Sequence, residues 1–292
     1  MSSSQLRRLP LESPSSRRGR KQAFRPQPTA DCAIAVMAKA SIAGRTKTRL
    51  VPPLSFDEAA AFNTAFLQDI ASLLVDARAV KAGISGYMAF GPPESEPFFR
   101  RTMPAEIGLM EIWYPDFGDC LFATVCGLFE CDHTSAVVLN SDSPTLPISL
   151  LIETAGILAQ PGDRAVLGPA RDGGYYLLGL KHPHRRMFEE IDWSTDRVAR
   201  QTMQRAQEIG LAVHVLPTWY DVDDAEALRV LHAELCGRSF DSALRPSYPS
   251  HTAALAESLL AAGDFGQRIG VADARARDLA TEERGDGNPV SA

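Results

Sequence analysis

From residue 33 onward the chain alternates short apolar runs with longer segments of helical spacing. The runs are Ala33 to Ala38, Ile84 to Phe90, Leu109 to Tyr114, Ser135 to Asn140, Arg164 to Leu167, Tyr175 to Leu180 and Ala212 to Leu216. Short apolar runs bounded by turn formers read as strands buried on both faces, and their alternation with helices is the pattern of a parallel sheet covered on each side. The predicted fold class is therefore α/β, with a mostly parallel central sheet flanked by helices. The clearest helix starts at Ser55, where Ser55-Phe56-Asp57-Glu58 has the form of a capping box and Ala59, Phe62, Phe66, Ile70 and Leu73 recur on one face. Further helices are predicted near 118–131, 147–159, 196–209, 223–235 and 251–262.

The 292 residues, 45% of them hydrophobic, suffice for one large core. Residues 31–265 read as that domain. Residues 1–30, rich in Ser, Arg and Pro, lack apolar periodicity and read as a disordered basic tail, or more sharply as a basic targeting or binding arm. Residues 266–292 read as a polar C-terminal tail. No apolar run reaches the eighteen residues of a membrane span, and the N-terminus lacks the apolar stretch of a secretory signal, so a cytoplasmic location is expected. Five cysteines without paired spacing (Cys32, Cys120, Cys126, Cys131 and Cys236) fit a reducing compartment. Cys126, Cys131 and His133 lack a fourth partner at zinc-ligand spacing, and the first two fall in a helical pattern.

Charge sharpens the search for a site. Residues 1–30 hold seven basic side chains and one acidic one, leaving −12 on residues 31–292 within an overall −6. So acidic a body is a poor partner for nucleic acid and holds a phosphorylated ligand only where cations are concentrated locally. The loop after the first strand supplies them, with Lys39, Arg45, Lys47 and Arg49 around Gly44. Guanidinium and ammonium groups bind phosphate oxygens by charge-assisted hydrogen bonds, and Gly44 lets backbone come close to a ligand. The alternative is a solvated basic loop. A Walker A loop is excluded because Thr46 and Ser41 stand where its glycines belong, and no G-x-G-x-x-G is present.

Three more turns follow apolar runs, where ligands bind in open α/β sheets. In Asn140-Ser141-Asp142-Ser143-Pro144, Asp142 stands at a strand end as a ligand for a hard divalent cation, or as a cap for the helix near Pro147. In Gly168 to Tyr176, Asp172 can accept hydroxyl hydrogen bonds while Gly173 and Gly174 leave room for a sugar or ribose; the same Asp-Gly pair also suits a hairpin turn. In Tyr220-Asp221-Val222-Asp223-Asp224, Asp221 and Asp223 share one side of an extended segment, within reach of a metal on Asp142, whereas Asp223 or Asp224 can cap the next helix.

Taken in order, Ala-Lys-x-x-x-x-Gly-Arg-x-Lys-Thr-Arg-Leu at 38–50, Ser-Asp-Ser-Pro at 141–144, Gly-Pro-Ala-x-Asp-Gly-Gly-Tyr-Tyr at 168–176, Ile-Asp-Trp-Ser-Thr at 191–195 and Asp-Val-Asp at 221–223 resemble the bacterial GT-A-like glycosyltransferases. Some members of that family carry the description of arsenosugar-type glycosyltransferases. The likeness runs from about 33 to 236. It implies a Rossmann-like nucleotide-diphospho-sugar transferase fold, related to phospholactate guanylyltransferases, whose first loop shares the Lys-x-Arg-Leu ending. By position it implies that Asp142 and Asp223 hold magnesium or manganese, that Lys39, Gly44, Arg45, Lys47 and Arg49 hold nucleotide phosphates, and that Asp172, Gly173 and Gly174 face sugar or acceptor. Arg171 departs from relatives that carry an acid there. The implied activity is metal-dependent transfer from a nucleotide sugar to a small acceptor, with Asp142 and Asp172 as catalytic candidates. Nucleotidyl transfer from a nucleoside triphosphate and non-catalytic nucleotide binding are the alternatives.

Overall fold

A computed structural model of the chain describes residues 30–238 and 243–271. The basic segment 1–29 and the end of the polar tail, 272–292, lie outside the described residues. Among the described residues, seven strands form one sheet: β1 (Cys32–Ala38), β2 (Ile84–Phe90), β3 (Gly108–Glu111), β4 (Ala136–Leu139), β5 (Ala165–Pro169), β6 (Tyr175–Leu180) and β7 (Val213–Val215). Their order is β3-β2-β1-β4-β6-β5-β7. All neighbours run parallel except at β6, which is antiparallel to both β4 and β5. The mostly parallel α/β sheet read from the apolar runs is thus the observed one. The reversal of β6 follows from the hairpin that joins it to β5, an option the Asp-Gly pair had left open.

The described residues also form eight helices: α1 (Phe56–Val80), α2 (Glu96–Thr102), α3 (Phe117–Glu130), α4 (Ile148–Leu158), α5 (Val198–Glu208), α6 (Ala225–Leu235), α7 (Ser250–Ala262) and the short α8 (Phe265–Arg268). None of the described helices is long and apolar enough to cross a membrane. Because side chains alternate across a strand, the central β1 serves two cores at once. Cys32, Ile34 and Val36 join Phe66, Ile70 and Leu74 of α1 on one face. Ala33 and Ala35 join Leu121 and Val125 of α3 on the other.

The helix ends show which local signals govern the chain. Ser55 caps α1 by accepting from the Glu58 N–H at 3.2 Å, while the Glu58 carboxylate accepts from the Ser55 N–H at 2.7 Å, completing the expected box. α7 has no side-chain cap of its own. Asp69, buried on α1, supplies one by accepting from the N–H groups of His251 and Thr252 at 2.8 and 2.9 Å and from the Thr252 hydroxyl at 2.6 Å. Beyond the expected boundary at residue 265, Ile269 is buried in the core and Arg268 bridges to Glu58 at 2.6 Å. Ala30 at the other end is also buried, its N–H donating to His133 Nδ1 at 3.0 Å.

Since β1, β4 and β5 run parallel, the loops that follow them, together with the segment before α6, emerge at one edge. That edge carries the site.

Candidate functional site

The loop after β1 is pinned before any charged side chain is placed. The Thr46 hydroxyl, buried, donates to the Ile42 carbonyl at 2.9 Å and accepts from the Ile42 N–H at 2.7 Å. From α1, the Asn63 amide donates to the Lys39 carbonyl at 3.1 Å and to Ser41 Oγ at 2.8 Å. The next residue, Lys47, has a left-handed backbone (φ 52°), which turns its side chain inward.

There Lys47 Nζ lies 2.8 Å from Asp142 Oδ1, 2.8 Å from Asp223 Oδ1 and 2.9 Å from the Val222 carbonyl, with only 6% of its side chain exposed. The Phe66 ring lies beneath it, 5.4 Å from the ammonium. Arg49, largely exposed, pairs with the other oxygen of Asp223. The two acidic loops are themselves zipped together. The Val222 N–H donates to the Asp142 carbonyl at 2.8 Å, and the Ser143 hydroxyl donates to the Tyr220 carbonyl at 2.9 Å. Ser141 Oγ donates to Asp142 Oδ1 at 2.8 Å.

Both carboxylates are free of capping duty. Asp224 caps α6, accepting from the Ala227 N–H at 2.9 Å. At the start of α4, whose N-cap is Pro147, the Ile148 N–H donates to Ser247 Oγ at 3.1 Å, so Asp142 does not serve that helix end. Burial opposes the charge on Lys47, yet attraction and hydrogen bonding from Asp142 and Asp223 raise its pKa above the ordinary lysine value. Burial likewise works against ionised Asp223, but Lys47 and Arg49 hold its carboxyl below the usual range. Asp221 behaves oppositely: burial, then the charges of Asp172, Asp223 and Asp142, push its carboxyl up to about 7. Sequence reasoning gave Asp221 only a shared metal role. Its proximity to Asp142 and Asp172, in addition to the adjacent Asp223, depends on loops that are distant in sequence.

One cleft of about 850 Å³ is lined by Lys39, Arg45, Lys47, Arg49, Asp142, Asp172, Gly174 and Asp223 among others. Gly44 and Gly173 do not line it. Gly44 has φ +75° and nothing within 4 Å of where a Cβ would stand, so its part is to turn the loop. At Gly173 (φ +89°) a Cβ would meet the Asp196 carbonyl at 2.2 Å, so this glycine makes room for neighbouring backbone. Asp172 accepts from the Gly174 N–H at 2.8 Å, and Ala170 N–H donates to the Gly174 carbonyl at 3.0 Å, closing the β5–β6 hairpin. Another part of the lining, which sequence reasoning missed, is an aromatic wall: Trp113, Tyr114 and Phe117 are exposed there, and Trp193 sits edge-on to Phe117 and Tyr175. Its signal was the Ile-Trp-Tyr run read as strand, which in fact leaves the sheet at Glu111. Asn140 Oδ1 and the Tyr175 hydroxyl, both in the cleft lining, are buried with no hydrogen-bond partner among the described residues.

Among the described residues, no group of three or more His, Cys, Asp or Glu side chains is arranged to hold a metal ion by itself. His133 has both ring nitrogens engaged, by the Ala30 N–H and by the Tyr87 hydroxyl at 2.7 Å, so it is no zinc ligand. Asp142 and Asp223, however, direct hard oxygens at one point, and magnesium is commonly held by one or two carboxylates with substrate phosphates completing its shell. The donor set fits such an ion, at a position where Lys47 now provides the positive charge.

The model of the family described as "Uncharacterized protein conserved in bacteria (DUF2064)" matches residues 74–195. Among solved structures, a proposed nucleotide-diphospho-sugar transferase from Desulfovibrio desulfuricans is 26% identical with a TM-score of 0.67, over 80% of this chain and 96% of that one. A cytidylyltransferase from Leptospira borgpetersenii matches at 9% identity and a TM-score of 0.44, over 81% of this chain and 96% of that one. No curated protein matches. The chain has the nucleotide-diphospho-sugar transferase fold that its motifs led one to expect.

Proposed function

We propose that the protein is a metal-dependent transferase that holds the diphosphate of a nucleotide sugar at the Lys47–Asp142–Asp223 cluster and passes the sugar to a small acceptor. The observation that carries this reading is the meeting of Lys47 and Arg49 with two carboxylates free of structural duty, at the carboxyl edge where open α/β sheets bind ligands. The likeness to the Desulfovibrio protein supports the same class of chemistry.

In the transfer, the acceptor hydroxyl oxygen bonds to the anomeric carbon while the bond from that carbon to the diphosphate oxygen breaks. The diphosphate leaves with the electron pair, and the hydroxyl proton passes to a base. Lys39, Arg45 and Arg49 face the same cleft and stabilise charge that grows on the leaving group, so they act more strongly in the transition state than on bound substrate. A magnesium or manganese ion held by Asp142 and Asp223 would neutralise part of that diphosphate charge. Asp172, an exposed residue of the cleft lining, is the candidate base. The aromatic wall of Trp113, Tyr114 and Phe117 suits a flat base or the apolar face of a sugar ring.

Four cations lining one cleft also suit a triphosphate, which favours nucleotidyl transfer with release of pyrophosphate as the second reading. Incubation with a panel of nucleotide sugars and nucleoside triphosphates, with small hydroxyl acceptors and either metal, followed by mass spectrometry, separates the two. A glycosylated acceptor with free nucleoside diphosphate supports the first reading, and pyrophosphate with a nucleotidylated acceptor the second. Binding without turnover across the panel would leave a nucleotide-binding protein.

A further inference from the structure

We propose that Lys47 is an exchangeable resident cation, seated between Asp142 and Asp223 when the cleft is empty and displaced onto a ligand phosphate when a divalent ion takes its place. This rests on the reading of the cleft as a metal and nucleotide diphosphate site.

An ammonium group has three hydrogens to donate. Those of Lys47 have three acceptors at 2.8, 2.8 and 2.9 Å: Asp142 Oδ1, Asp223 Oδ1 and the Val222 carbonyl. With its side chain 6% exposed, Lys47 cannot bond a phosphate oxygen without releasing one of these partners. Released alone, it would leave two neighbouring carboxylates without their shared counter-charge, which is costly for partly buried groups. A divalent ion removes that cost because it compensates both carboxylates, while the phosphate that completes its shell gives the ammonium a new partner.

Arg49 does not provide an equal substitute. It reaches only Asp223, and its side chain is 73% exposed. The left-handed backbone at Lys47 (φ 52°, ψ 37°) is a conformation that residues other than glycine seldom hold, and the ion pairs add to the Leu50 N–H bond on the Lys47 carbonyl at 3.0 Å in keeping it. The neighbouring Gly44, with open space around it, gives the loop a point about which to rearrange. Metal and nucleotide therefore bind as a coupled pair, each weakly by itself.

The test is calorimetric titration of Mn²⁺, without nucleotide, into the wild-type protein and into Lys47→Met and Lys47→Gln. Both replacements remove the charge with a side chain one atom shorter, and the glutamine keeps an N–H donor, with circular dichroism reporting the fold. Vacating the seat should tighten Mn²⁺ binding by about tenfold or more in both variants while weakening nucleoside diphosphate binding by a similar factor. Opposite signs from one substitution are what exchange requires, because the same ammonium then competes with the ion for Asp142 and Asp223 and assists the phosphate once displaced. Equal Mn²⁺ affinity in all three proteins would overturn the exchange while leaving the carboxylate site intact. Nucleotide binding with no Mn²⁺ uptake by any form would overturn it by making Lys47 the permanent cation. No nucleotide binding by the wild-type protein would remove the functional reading itself, and the exchange with it.

Discussion

Lys47 is the residue on which the site turns, because its charge is buried and compensated by two carboxylates from loops nearly 100 and more than 170 residues away. Its residue type and its loop were readable in the sequence, since four cations in an acidic chain are conspicuous. Its seat was not, because no local pattern records that Asp142 and Asp223 come to the same point. Arg49 offers the cleaner substitution. Its side chain is exposed and pairs with Asp223, so Arg49→Ala should change folding stability by less than about 1 kcal/mol. If it contacts a phosphate, nucleotide affinity should nevertheless fall by about tenfold, the worth of one charge-assisted hydrogen bond. Urea denaturation and calorimetry on the same preparation check both halves.

At the scale of elements, legibility tracked how local the cause was. The capping box at Ser55 and the apolar faces of α1 lie within one stretch of chain, and that helix forms as expected. The direction of β6 was hidden because a buried apolar run reads the same in either direction. Only the Asp172-Gly173 turn hinted at the hairpin. The cap of α7 comes from Asp69, 182 residues before His251, and has no sequence signature at all. Asp223 and Asp224 are the instructive pair, since either satisfies the preference for aspartate at a helix start, and the choice falls to Asp224 because Lys47 and Arg49 draw Asp223 away. Asp224→Ala should therefore cost about 1 kcal/mol of stability, the usual worth of an N-cap, with nucleotide affinity unchanged. Asp223→Ala should show the reverse emphasis, and denaturation curves paired with binding isotherms would expose any mixing of the two roles.

At the scale of the whole molecule, α8 ties the far end of the described chain back to the start of α1. The Arg268 guanidinium bonds both oxygens of Glu58, at 2.6 and 2.9 Å, and helps hold its carboxyl down to about 2 from an ordinary 4.5. A carboxyl depressed by folding contributes stability that is present in full above its unfolded value and is lost as pH falls through the folded one. The wild-type protein should thus lose this contribution between about pH 4.5 and pH 2. Glu58→Gln should be less stable at pH 7, and the gap between the two proteins should close across that window. A gap that stayed constant with pH would mean that the charge of Glu58 is not what holds α8 in place. The expected polar tail hid this contact because α8 is only four residues long and its anchoring residues, Phe265 and Ile269, are too few to form a periodic pattern.

If Asp142 and Asp223 act together in holding a divalent ion and a nucleotide diphosphate, the two losses should not add. Nucleoside diphosphate is titrated, with and without magnesium or manganese, into the wild-type protein, Asp142→Asn, Asp223→Asn and the double variant. Each single substitution should abolish the metal-dependent part of binding, and the double variant should bind no worse than either single one, since two ligands of one ion cannot be lost twice. Metal-independent binding of equal strength in all four proteins would show that Asp142 and Asp223 hold no ion for the nucleotide.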